Sequence, residues 1–180
     1  MEPVSTSRTF PTGRRLPVLL VASGILLLVI SGGFWMQESG FIHPGIVSVP
    51  ESLAGQPVVR SVSGPQAVEE INQLHRKDFQ FSSGAVGWYG LQHQVTLWVS
   101  GARLQFIAGR TLSEMQERIS EGRSPFQPTG QRNDGNRRIY EMDGMGQKHF
   151  TFQSKNLVIW LAVEPSLANQ ALTEVLEYYP

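Results

Sequence analysis

The chain has 180 residues, 15 of them basic and 15 acidic, so its formal net charge is zero, and it contains no cysteine. The missing thiols exclude disulfides, iron–sulfur clusters, thiol catalysis and cysteine-based zinc sites, while 41% apolar and 17% charged residues suit a folded domain rather than a disordered chain. Three of the basic and one of the acidic residues precede residue 38, leaving the remainder at a formal −2 with no basic stripe, which argues against a nucleic-acid partner.

Residues 1–15 form a short basic tail in which Arg8, Arg14 and Arg15 face only Glu2. Leu16 to Gln37 follows as 22 uncharged residues, twelve of them Leu, Ile, Val or Phe. At about 1.5 Å per residue a helix of that length spans roughly 33 Å, against a bilayer core of about 30 Å. The segment is therefore expected to be a transmembrane anchor, with Trp35 at the far interface. After it come Glu38 and, as the next cation, Arg60, so the arginine-rich side is expected in the cytoplasm and the rest outside. A cleaved secretory signal is the rival reading, with Ser31, Gly32 and Gly33 offering small residues before a cut at Phe34; the run outlasts the usual h-region of about 7–15 residues. An exported domain without disulfides fits the periplasmic or outer side of a bacterial inner membrane.

Residues 38–57 read as a linker, rich in Gly40, Pro44, Gly45, Pro50, Gly55 and Pro57. The domain is then expected over 58–180. It opens with a strand at 58–62, and a helix capped by Ser63 with Pro65 in its first turn runs to about Arg76. Residues 85–89 and 95–100 read as a hairpin. Ala102 to Glu121 is the clearest helix, from the spacing of Leu104, Ile107, Ala108, Leu112, Met115 and Ile119. Gly109 inside it is disfavoured by about 1 kcal/mol relative to Ala. Turn residues Asn133, Asp134, Gly135 and Asn136 precede strands at 137–142, 148–153 and 157–163, and Glu164, Pro165 and Ser166 start a last helix.

The resulting order, β-α-β-β-α-β-β-β-α, predicts an α+β domain with a largely antiparallel sheet, ferredoxin-like element order and the helices packed on one face. Alternation then sends Val95, Leu97, Val99, Phe150, Phe152, Ile159, Leu161 and Val163 inward. Thr96, Trp98, Ser100, His149, Thr151, Gln153 and Trp160 fall on the other face. Large aromatics among polar residues there suggest a binding face centred on Trp98, His149, Trp160, Thr96 and Thr151 for a ligand, an envelope protein or a second copy of the chain.

Met142, Met145 and His149 lie within eight residues, and thioether plus imidazole suits Cu(I), so an envelope copper-handling role is the alternative; otherwise no cofactor is implied. The other histidines, His43, His75 and His93, have no ligand spacing. Arg137 and Arg138, the one adjacent arginine pair beyond residue 37, either meet anionic groups or guard a sheet edge. Phosphate-loop and nucleophile-elbow motifs are missing, and Asp78, Asp134, Glu141 and Asp143 form no obvious acid–base pair. The sequence points to a binding module more than to an enzyme.

Overall fold

In Val95, Leu97 and Val99, alternating with Thr96, Trp98 and Ser100, the period of two is that of a strand, and 147–154 and 157–163 repeat it. These segments pair in the computed structural model, which describes residues 15–38, 47–75 and 81–180. The tail before Arg15, the linker residues Gly40, Pro44 and Gly45, His43 and Asp78 lie outside the described residues.

The chain divides into two units, residues 1–39 and 40–180. The first holds helix α1, Arg15–Glu38. Ten large apolar side chains between Val18 and Phe34 are exposed along it. Among the described residues no helix is long and apolar enough to cross a membrane; in α1 the described side chains run only from Pro17 to Phe34, without Leu19.

The second unit is an α+β domain. Its strands are β1 (Ser52–Leu53), β2 (Gln56–Ser63), β3 (Phe81–Tyr89), β4 (Val95–Ala102), β5 (Gln127–Asp134), β6 (Arg137–Gly144), β7 (Gln147–Ser154) and β8 (Leu157–Val163). Helices α2 (Pro65–His75), α3 (Gln105–Ser120) and α4 (Ala168–Tyr178) complete it, with a 3₁₀ turn at Pro165–Leu167. The eight strands form one sheet in the order β1-β2-β3-β4-β8-β7-β6-β5, and every pairing is antiparallel. The ferredoxin-like expectation fails on topology, because the strands joined through α2 are antiparallel neighbours rather than parallel partners of a crossover.

The inward set is as alternation placed it. Val95, Leu97, Val99, Phe150, Phe152, Ile159, Leu161 and Val163 join one core with Ala168, Ala171, Leu172 and Val175 of α4. Val47, Leu53 and Ala54 belong to the same core, so the domain takes in part of the segment read as linker. The helices do not share a face. Helix α2 packs through Ala67 and Ile71 on Val86, Trp88 and Trp98, and α3 through Ala108 and Leu112 on Ala102, Val158 and Tyr140. Both contacts lie on the side opposite α4. Strand β4 is buried at seven of eight positions, as a strand covered on both faces must be.

Candidate functional site

Strand register turns the expected binding face into rows. Val62, Val86, Trp98, Trp160, Thr151 and Tyr140 lie side by side across six strands. The next row holds Trp88, Thr96, Ala162, His149 and Met142. Trp98, Trp160, Thr96, Thr151 and His149 thus do share one face, but helices and a loop cover it. Trp98 packs with the α2 cluster. Thr151 is fully buried and its hydroxyl oxygen accepts from Gln116 Nε2 of α3 at 2.7 Å, and Thr96 is buried as well. Phe126, in the loop after α3, sets its ring 4.6 Å from His149 and 4.9 Å from Trp160.

The bonding of His149 is closed. Its Nδ1 accepts the indole N–H of Trp160 at 3.0 Å, and Nε2 lies 3.0 Å from the Gly144 carbonyl. A carbonyl only accepts, so Nε2 carries the proton and the ring is neutral. Burial pushes its pKa below the usual histidine value, against opposing pulls from the Gly144 carbonyl and Asp143. Gly144 has no room for a side chain, since a Cβ there would come 2.5 Å from the Phe126 ring.

Met142 lies opposite His149 in the β6–β7 ladder and is buried. Met145 sits at the hairpin tip, where it and Gly146 hold φ of 52° and 78°, the type I′ pattern; it is 77% exposed. Copper at His149 would have to displace one of two hydrogen bonds. Among the described residues no group of three or more His, Asp or Glu gathers to hold a metal ion.

An open cavity of about 780 Å³ lies elsewhere, where α3 passes the β5–β6 hairpin and the β7–β8 turn. Leu112 and Tyr140 contribute its apolar lining, and Gln105, Ser113, Asn133, Asn136 and Gln153 its amides and a hydroxyl. Arg137, Arg138 and Lys155 also line it, with Pro180, and no Asp or Glu does. The arginine pair is split by the fold. Arg137 pairs with Asp134 and donates to the carbonyls of Leu176 and Tyr179 at 2.9 and 2.6 Å, holding the end of α4. Arg138 and Lys155 have no ion pair among the described residues. Gln153 joins the walls, donating to the carbonyls of Gln105 and Lys155 at 2.9 and 2.7 Å. Only the arginine pair marked this place in the sequence; the amides come from four separate elements and turns. No family model, curated protein or solved structure matches the chain.

Proposed function

We propose that the chain is a single-pass membrane protein whose N-terminus stays in the cytoplasm and whose α+β domain works outside as a binding module. The observation that carries this reading is the uncharged run from Leu16 to Gln37 with arginines on one flank only. Twelve Leu, Ile, Val or Phe residues, at about −0.3 to −0.6 kcal/mol each, favour insertion by several kcal/mol. The exposed apolar side chains of α1 support it, because a helix apolar all round belongs in a core or a bilayer. Binding is preferred over catalysis because the one buried histidine of the predicted site spends both nitrogens on structure.

The absence of cysteine makes the test clean. Ser7→Cys in the tail and Leu91→Cys, at a position 93% exposed in the β3–β4 loop, are labelled separately in intact cells with a membrane-impermeant maleimide. Label on Leu91→Cys alone, with the full-length mass retained in carbonate-washed membranes, is the expected result. Label on the tail position alone, or recovery of the full-length chain in the soluble fraction, overturns the anchor. A product beginning at Phe34 replaces it with a cleaved signal.

A further inference from the structure

We infer that the cavity between α3 and the β5–β6 hairpin is a binding site for a small polyhydroxylated anion, a sugar acid or sugar phosphate. The inference rests on the binding-module reading and names the ligand class for it; it does not depend on which side of the membrane the domain occupies. Three features of the lining carry it.

The first is charge. Three cationic side chains and no acidic side chain line the cavity, with the Pro180 carboxylate as its one anionic group. Arg137 is consumed by Asp134 and the end of α4. Arg138 and Lys155 approach from two different hairpins and have no ion pair among the described residues. A carboxylate or phosphate between them would gain charge-assisted hydrogen bonds, with the guanidinium able to engage two oxygens at once.

The second is the neutral polar set. A carboxamide presents both donors and an acceptor, and a hydroxyl presents one donor and two lone pairs. Gln105, Asn133 and Asn136 therefore match ligand hydroxyls, which also give and take, while Ser113 donates to the Gly109 carbonyl at 3.0 Å and has its lone pairs left to accept. A greasy ligand would strand these groups without partners, and a bare anion would leave them unused.

The third is size and shape. About 780 Å³ lies within the range of small-molecule sites, about 300–1,000 Å³, and is several times what inorganic phosphate occupies. Leu112 and Tyr140 give the lining an apolar part, suited to the C–H face of a sugar ring. The Gln153 clasp ties α3 to the β7–β8 turn, so the walls are preformed.

The test is calorimetric titration of the full chain in detergent with glucuronate, glucose 6-phosphate, glucose and inorganic phosphate. Glucuronate or glucose 6-phosphate is expected to bind at least tenfold more tightly than glucose or phosphate, and whichever binds better identifies the anionic group. Arg138→Gln and Lys155→Gln, both at exposed positions, should each weaken binding roughly tenfold, the loss of one charge-assisted contact. Arg110→Gln removes the same charge from α3 outside the cavity and should leave affinity unchanged. Undetectable binding of both sugar anions at millimolar concentration overturns the inference. So does equal binding of glucose or of inorganic phosphate, or full affinity in the Arg138→Gln, Lys155→Gln double variant. These failures leave the cysteine-labelling result untouched, so the two readings stand or fall separately.

Discussion

His149 stands out in the sequence, but its hydrogen-bond partners do not. Beside Met142 and Met145 it has the composition of a copper site, yet its lone pair faces the indole of Trp160 and its proton faces the Gly144 carbonyl. Local spacing carries no trace of a partner on the next strand. The same geometry sets a pH dependence. Burial holds the folded pKa below the unfolded value of about 6.5, so as pH falls below that value the unfolded chain takes up a proton that the folded ring resists. The stabilisation is complete above about 6.5 and is lost toward the folded value, with a slope of at most about 1.4 kcal/mol per pH unit. Protonating Nδ1 also places two donors against each other at Trp160. Glutamine can accept from the indole and donate to the carbonyl without titrating. The wild-type melting temperature should therefore fall more steeply than that of His149→Gln between pH 7 and 5. Parallel curves for the two proteins would remove His149 from the account.

At the scale of elements, α3 carries the clearest local rule-breaking. Gly109 is disfavoured by about 1 kcal/mol against Ala in a helix interior, but an added Cβ would stand 3.0 Å from Gln153 Oε1, and that amide is pinned through its nitrogen to two carbonyls. Gly109→Ala should give little or no net gain alone. In a Gln153→Ala background the same substitution should stabilise by about 1 kcal/mol, measured by urea unfolding as a double-mutant cycle. An identical effect in both backgrounds would show that the close approach does not matter. The elements themselves were unevenly legible. Amphipathic α3 and the alternating strands β4, β7 and β8 stand out because each buries a periodic stripe. Strand β5 does not, since Gln127–Asp134 contains Pro128 and Gly130 and buries none of its residues; among the described residues it pairs only with β6, with a register shift between Pro128 and Gly130. An edge strand of this kind is held by its neighbour's ladder and guarded by its proline and charges. The sidedness of the helices was hidden for a related reason. Thr96, Ser100, Thr151 and His149 imitate a solvated face, while each is buried; Thr151 bonds Gln116 of α3 and His149 lies against Phe126 and bonds Trp160 and Gly144.

Across the whole domain, the first and last described segments are sewn together over the α4 face. Tyr179 donates to the Ser48 carbonyl at 2.7 Å and Tyr89 to the Pro50 carbonyl at 3.0 Å. Tyr178 and Ser48 share a hydroxyl contact at 3.0 Å, and Glu174 accepts the Ala54 N–H at 2.7 Å. Contacts separated by up to 131 residues cannot be read from local pattern, and residues 47–54 accordingly look like linker until the closing helix is in place. The seam has a chemical weakness. Burial pushes the Tyr89 and Tyr179 phenols well above the ordinary tyrosine value, with nearby tyrosines adding to the shift. Above pH of about 10 these groups ionise in the unfolded chain but not in the folded one. The unfolded state then holds fewer protons, and stability falls as pH rises, by at most about 2.7 kcal/mol per pH unit for the two together. Unfolding of the full chain in detergent, followed by tryptophan fluorescence from pH 8 to 11, should show a steep alkaline loss. Tyr179→Phe should lower stability at pH 8 by about 1–3 kcal/mol, because the Ser48 carbonyl loses its donor, and should flatten the alkaline limb. The Tyr89→Phe, Tyr179→Phe double variant should flatten it further. If the double variant kept the wild-type slope, the alkaline sensitivity would originate outside the seam, and these two tyrosines would not be what closes the domain.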